Sequence, residues 1–183
     1  ESFAVAGFSS GGPNALAIAA GLRDRVKVVG LFSSDAPYYA IGDVALSRMH
    51  HPTRDQNRLS LDDCIRRANV FATSLSKSYQ GIKKENRRAI ALADLQSATK
   101  QGLEGVAMDQ VLEGSEWNFS VADVKQPVLM WHGTADDAVP VEFAKHLESM
   151  LLDVKALYVQ NEGHALVRRI WKAAIESIVD VAT

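Results

Sequence analysis

The stretch Ala4–Leu16, written AVAGFSSGGPNAL, places a serine at position 9 between an apolar run and an alanine-rich run. The run Phe3–Phe8 is short and apolar, which is typical of a buried parallel strand. The run Pro13–Leu22 is rich in alanine and leucine, and proline is tolerated in a first helical turn, so we predict a helix there. Ser9 is therefore expected at a tight turn that leads from a strand into a helix.

Glycines lie two residues before and two residues after this serine, in the pattern G-x-S-x-G. At a tight strand-to-helix turn the serine backbone is strained, and its hydroxyl is exposed above the edge of the sheet. We expect side chains at both flanking positions to collide in such a turn, so that Gly7 and Gly11 are both required. The pattern indicates Ser9 as a nucleophile, whereas Ser10 is a poorer candidate because its glycine spacing is wrong.

Further short apolar runs predict three more strands with helices between and after them. The predicted strands are Val26–Phe32, Pro127–Trp131 and Lys155–Val159, and the predicted helices are Val141–Met150 and a final helix that begins near Gly163 or Ala165. Strands that alternate with helices indicate an α/β fold with a mainly parallel sheet and flanking helices. We assign residues 1–37 and 121–183 to this α/β core.

Residues 38–120 show a different pattern, with helical spacing, many charges and no convincing strand. The predicted helices here are Leu61–Tyr79, Lys83–Ala98 and Leu103–Leu112. We interpret this region as an inserted α-helical layer.

Length, charge and cysteine content exclude several classes of protein. With 183 residues, 47% of them hydrophobic, the chain suits a globular domain with a substantial core. A net charge of -2 provides no basic surplus for nucleic acid or an anionic membrane, and the single cysteine, Cys64, excludes an intrachain disulfide framework. No apolar run approaches the ~20 residues of a membrane helix. We therefore expect no nucleic-acid partner, no membrane span and a cytoplasmic location.

A serine nucleophile needs a base, and His164 is the histidine in the right place. It follows the last predicted strand and precedes the final helix. Loops at the carboxyl ends of parallel strands gather on one edge of a sheet, so His164 and Ser9 should share that edge. The other histidines are less suitable: His50 and His51 in the inserted layer, His132 where a strand ends and a loop begins, and His146 in mid-helix.

The base should be held by a carboxylate on the same edge. The loop after the strand Pro127–Trp131 contains two aspartates, Asp136 and Asp137. Asp136 is the preferred candidate and Asp137 the second, although either side chain is also suited to capping the helix that follows. Asp35, after the preceding strand, is a third candidate.

Three segments together resemble the α/β-hydrolase superfamily, in its branch with a serine nucleophile and a helical cap. GFSSGG at 7–12 resembles the nucleophile elbow, HGTADDAVP at 132–140 resembles the segment of the triad acid, and EGHALV at 162–167 resembles the segment of the triad histidine. Their order along the chain is also the order of that superfamily. The resemblance covers both ends of the chain, and it implies that residues 38–120 form a cap.

The resemblance implies a role for each site residue. Ser9 would be the nucleophile, His164 the base, Asp136 the acid of the triad, and the backbone amide of Ser10 one oxyanion donor. The implied activity is that of a serine hydrolase that cleaves a small carboxylic ester, or a related acyl bond, through an acyl-enzyme, without a metal or an organic cofactor. The alternative is a hydrolase-like protein that binds a ligand without turnover, or an inactive fragment.

The sequence departs from the superfamily in one respect. Members of the superfamily have further strands before the elbow, including the loop that supplies a second oxyanion amide, and these are not found in this sequence. A first strand without an inner neighbour exposes a hydrophobic edge. We therefore expect the edge of Phe3–Phe8 to pair with N-terminal sequence that is missing here, or with another chain.

Overall fold

The computed structural model describes residues 1–41 and 60–183. His50 and His51, which the sequence analysis considered as bases, lie outside the described residues. In chain order the helices are α1 (Gly11–Gly21), α2 (Leu61–Gln80), α3 (Glu85–Ala98), α4 (Glu104–Gly114), α5 (Val141–Met150) and α6 (Val167–Ala182). None of the helices in these two ranges combines the length and the apolar character that a membrane crossing requires.

Four strands form one sheet in which every neighbouring pair is parallel. They are β1 (Phe3–Phe8), β2 (Val26–Phe32), β3 (Val128–Gly133) and β4 (Val154–Val159), and they lie in the order β1-β2-β3-β4. The two central strands, β2 and β3, are almost entirely buried, as expected for apolar strands covered on both faces. The predicted α/β fold with a parallel sheet and flanking helices is confirmed.

Alternate side chains of β2 enter two separate cores, because successive residues of a strand point to opposite faces. Val29 and Leu31 lie in one core, to which α1 contributes Leu16 and α5 contributes Phe143. The opposite core contains Val28 and Phe32, together with Trp131 of β3 and Ile178 of α6. The rings of Phe32 and Trp131 stack there, with centroids 4.9 Å apart. Helices therefore pack on both faces of the sheet.

The chain divides into two compact units. The first comprises residues 1–54 and 113–183 and contains the sheet, and the second comprises residues 55–112 and is helical in the part that the structure describes. This helical unit is narrower than the predicted insertion at 38–120. Tyr38 shows why the first unit continues past residue 37, since its ring packs edge-on against Phe143 at 5.5 Å. The role of the helical unit as a cap stays a prediction.

Several predicted boundaries were wrong by one or more residues, and two of them lie next to the site. Strand β3 continues through His132 to Gly133, where the sequence analysis ended it at Trp131 and began a loop. His132 is a strand residue because it pairs with Tyr158 of β4 and is fully buried. Helix α1 begins at Gly11, before Pro13, so the turn that contains Ser9 is shorter than predicted.

Strand β1 lies at an edge of the sheet within the described residues. Its side chains alternate between half-buried and exposed up to Gly7, and the ring of Phe8 at its end is 42% exposed. The predicted pairing of this edge stays a prediction.

Candidate active site

Ser9 occupies the turn between β1 and α1 with a strained backbone. Its φ is +54°, in the left-handed region that a non-glycine residue rarely adopts. The conformation is held by three backbone hydrogen bonds: the Ser9 amide donates to the carbonyl of Phe32 at 2.9 Å, and the Ser9 carbonyl accepts from Gly12 at 2.9 Å and from Asp35 at 3.3 Å. The strain is therefore maintained by the end of β2, by the loop after it and by the first turn of α1.

The glycines around Ser9 are not equally constrained. A Cβ at Gly7 would overlap the carbonyl oxygen of Gly11 and lie 2.7 Å from the Cα of Gly12, so no side chain fits there. The expectation that Gly11 is also required was wrong, because a Cβ at Gly11 would have no described atom within 4 Å. The second constrained position is Gly12, where a Cβ would overlap the hydroxyl of Ser34 and lie 2.6 Å from its Cβ.

Gly7→Ala and Gly11→Ala should therefore have opposite effects on stability. Overpacking against backbone atoms costs about 1–3 kcal/mol or more, so Gly7→Ala should lower the free energy of unfolding by at least that amount. Gly11→Ala places a better helix former in an open position and should be neutral or stabilising by up to about 1 kcal/mol. Urea unfolding of both variants measures the difference, and equal losses would contradict this account of the turn.

His164 follows β4 and begins a short 3₁₀ turn that leads into α6. Its Nε2 lies 3.0 Å from the Oγ of Ser9, and its Nδ1 lies 2.9 Å from Oδ2 of Asp136. The ring of Phe8 packs against the imidazole with centroids 4.9 Å apart. The Asp136 carboxylate can only accept hydrogen bonds, so Nδ1 of His164 carries the ring proton. Nε2 then accepts a hydrogen bond from the Ser9 hydroxyl. The structure thus brings the three residues Ser9, His164 and Asp136 into one hydrogen-bonded line.

The Asp136 side chain is held as an ion in a buried position. Burial opposes its charge, but hydrogen bonds from His164 and from the Val139 amide outweigh burial, and the pKa of Asp136 is lowered. Its Oδ1 accepts from the backbone amides of Ala138 at 3.0 Å and Val139 at 2.9 Å. The alternative, Asp137, is exposed. Asp136 is therefore the aspartate of this loop that meets the imidazole.

Solved structures with the same fold are numerous, although no protein-family model and no curated protein matches the chain. An esterase from Exiguobacterium antarcticum superposes with a TM-score of 0.67 at 17% identity, over 98% of this chain and 66% of that one. A thermophilic esterase from Thermogutta terrifontis superposes with a TM-score of 0.64 at 18% identity, over 100% of this chain and 66% of that one. A serine hydrolase involved in carbazole degradation superposes with a TM-score of 0.62 at 17% identity, over 98% of this chain and 64% of that one.

The chain has the α/β-hydrolase fold. It spans 64% to 66% of the length of these three solved structures. The turn around Ser9 lies between strand β1 and helix α1, which follows it. Ser10, the residue after it, is the N-cap of α1.

His132 is a further residue of the site, and it was not predicted from the sequence. Its Nε2 donates to the carbonyl of Val139 at 2.8 Å and lies 3.6 Å from Oδ2 of Asp136. Burial lowers the pKa of His132, so the ring is neutral and acts as a buried donor that closes the loop around Asp136. The sequence does contain a signal for this burial. His132 directly follows the apolar run at 127–131, so it could have been predicted as the next residue of that strand.

Asp35 is a second buried carboxyl in the site. It follows β2, is only 4% exposed, and its Oδ1 has no hydrogen-bond partner among the described residues. Burial raises the pKa of Asp35 to about 7, although the charge of His164 and a hydrogen bond with Tyr38 act in the opposite direction. Asp35 was the third candidate for the triad acid, but the hydrogen bonds of the imidazole Nδ1 go to Asp136.

Asp35 should make the stability of the protein depend on pH. The unfolded carboxyl ionises near 3.8 and the folded one at about 7, so between these values the folded protein holds a proton that the unfolded chain has released. The free energy of unfolding therefore falls as the pH rises through this range, by about 4 kcal/mol at 1.36 kcal/mol per pKa unit.

Urea unfolding of wild type and Asp35→Asn at pH 5 and pH 8 tests this dependence. The variant has no carboxyl to titrate at position 35. Its free energy of unfolding, relative to that of wild type, should therefore be about 2–3 kcal/mol higher at pH 8 than at pH 5. The exposed Asp24, changed to asparagine, serves as the matched control and should follow wild type at both. A stability difference between wild type and Asp35→Asn that is the same at pH 5 and pH 8 would contradict the assignment.

Proposed function

We propose that this protein is a serine hydrolase that cleaves carboxylic esters through an acyl-enzyme. The observation that carries the proposal is the hydrogen-bonded line from the Ser9 hydroxyl to His164 Nε2, at 3.0 Å, and from His164 Nδ1 to Asp136, at 2.9 Å. A hydroxyl is a weak nucleophile until a neighbouring base takes its proton, and a carboxylate that orients the base completes the arrangement.

In the proposed reaction, Ser9 Oγ attacks the carbonyl carbon of the ester while His164 Nε2 takes the hydroxyl proton. The positive charge that forms on the imidazole is stabilised by Asp136, whose pKa is already lowered. The negative charge that forms on the carbonyl oxygen is stabilised by the Ser10 amide at the start of α1. His164 then gives the proton to the alkoxide as the C–O bond breaks, which leaves the acyl group on Ser9.

Water completes the proposed cycle by the same steps. His164 takes a proton from water as its oxygen attacks the acyl carbon, and returns that proton to Ser9 Oγ when the acyl–serine bond breaks. The products are a carboxylic acid and an alcohol, and the protein is restored. The choice of an ester is supported by the two structurally similar proteins that are described as esterases.

Two measurements on the protein expressed from its complete coding sequence test the proposal. A fluorophosphonate probe should label the protein, and mass spectrometry should locate the label on Ser9. Short-chain nitrophenyl esters should be hydrolysed with an initial burst of nitrophenol if release of the acyl group is slow. A folded protein that neither reacts with the probe nor hydrolyses these esters, but binds them saturably, would instead be a ligand-binding protein.

A further inference from the structure

Ser33, the residue that follows β2, has an unusual conformation that the chemistry above does not use. Its φ is +43°, in the region where glycine is favoured, yet the position holds a serine that is fully buried. Strained residues of this kind persist where surrounding contacts impose them, and they cluster at functional sites. The hydroxymethyl group of Ser33 therefore needs a physical explanation.

The contacts of Ser33 provide that explanation. Its hydroxyl donates to the backbone carbonyl of His164 at 3.2 Å, and its amide donates to the carbonyl of Trp131 at 2.9 Å. One residue thus ties the carboxyl end of β2 both to β3 and to the turn that carries the imidazole. A glycine would adopt the same backbone conformation with less strain, but it would lack the donor to His164.

The residue before Ser33 holds the nucleophile in a similar way. The carbonyl of Phe32 accepts from the amide of Ser9 at 2.9 Å. Phe32, the last residue of β2, therefore contacts the backbone of Ser9, and the next residue, Ser33, contacts the backbone of His164. Ser9 and His164 are 155 positions apart in the chain. Because Phe32 and Ser33 are joined by a peptide bond, they fix the backbones of Ser9 and His164 relative to each other. The side chains of Ser9 and His164 lie 3.0 Å apart, from Oγ to Nε2.

We propose that Ser33 is a positioning residue, whose hydroxyl holds the imidazole of His164 within hydrogen-bonding distance of Ser9. The inference rests on the proposed function, since it concerns the geometry of the same site. Ser33 acts through the His164 backbone and does not touch the reacting atoms. Without its hydroxyl the turn at His164 can shift, and a shift of about 1 Å in a reacting group is enough to cost about a hundredfold in rate.

Ser33→Gly is the decisive variant, because glycine suits the positive φ and removes only the hydroxymethyl group. Ser33→Ala removes the hydroxyl as well but keeps the backbone strain. We expect both variants to lower kcat for a nitrophenyl ester by about tenfold or more, the equivalent of one lost hydrogen bond, with KM unchanged. Unfolding by urea should show that Ser33→Gly is at least as stable as Ser33→Ala.

Ser149→Ala is the matched control. Its hydroxyl also donates to a backbone carbonyl, that of His146 at 2.7 Å, but the bond is exposed at the end of α5. This control should keep the wild-type kcat. If Ser33→Gly keeps the wild-type kcat while Ser33→Ala only loses stability, Ser33 contributes to folding stability but does not position His164, and the inference is overturned.

A crystal structure of Ser33→Gly provides a readout that does not depend on turnover. The distance from Ser9 Oγ to His164 Nε2 should lengthen beyond about 3.5 Å, outside hydrogen-bonding range. An unchanged distance would overturn the positioning role of Ser33. A wild-type protein that does not react with the fluorophosphonate probe would contradict the proposed function instead, and the same distance would still decide the role of Ser33.

Discussion

Ser9→Ala should lower kcat for the proposed ester hydrolysis by about a millionfold, the size of effect that removal of the nucleophile has in a serine protease. The variant keeps the backbone turn and the hydrogen bond between His164 and Asp136, but it has no oxygen to form the acyl-enzyme. Labelling by a fluorophosphonate should disappear together with turnover. The variant should remain folded, because the Ser9 side chain is not part of either core.

Ser10→Ala is the matched control for this prediction. Ser10 is adjacent in sequence, but its contribution to the proposed chemistry comes from the backbone amide, which alanine retains. It should keep probe labelling and most of the activity. Labelling that persists in Ser9→Ala, or that maps to Ser10, would contradict the assignment of the nucleophile.

Asp136→Asn should lower kcat by about ten-thousandfold, because it reverses the tautomer of His164. The amides of Ala138 and Val139 donate to Oδ1 of the aspartate, so the amide oxygen of an asparagine should stay at that position. The asparagine NH₂ then faces His164 Nδ1, which must accept, and the ring proton moves to Nε2. A protonated Nε2 cannot take the proton of Ser9, although the geometry of the site is kept.

Asp137→Asn tests the specificity of this effect. The residue is next to Asp136 in the same loop, but its side chain is exposed. Steady-state kinetics should give a kcat close to that of wild type for Asp137→Asn. Comparable losses in the two variants would indicate that the loop, rather than the bond from Asp136 to the imidazole, is responsible.

The two buried carboxyls of the site show how environment decides protonation. Asp136 is reached by the imidazole and by two backbone amides, and its pKa is lowered despite burial. Asp35 keeps one oxygen without a partner among the described residues, and burial raises its pKa to about 7. The lowered pKa keeps Asp136 ionised at neutral pH, whereas the raised pKa of Asp35 lies close to neutral pH. Both follow the carboxyl ends of neighbouring strands, so sequence position does not distinguish them.

Local signals in the sequence were sufficient for the fold, and they also indicated three residues that the structure brings within hydrogen-bonding distance of one another. The apolar runs and helical spacing predicted the four strands and the flanking helices, because these patterns reflect which faces of each element are buried. The glycines around Ser9 indicated a tight turn. The positions of Ser9, Asp136 and His164 after successive parallel strands predicted that they lie on one edge, since parallel strands end on the same side.

Other features depend on contacts between distant segments, and only the tertiary structure decided them. Gly12 is constrained by Ser34, whereas Gly11 is not, and no sequence spacing distinguishes the two positions. The burial of His132 results from its pairing with Tyr158 of β4.

What the sequence determined by itself is thus the order of the elements and the edge of the sheet on which the serine, the histidine and the aspartate lie, because periodicity and turn residues act locally. What the tertiary structure decided is the charge of Asp35 and the partner of Ser33. Desolvation and a hydrogen bond across 131 positions exist only when the chain is folded.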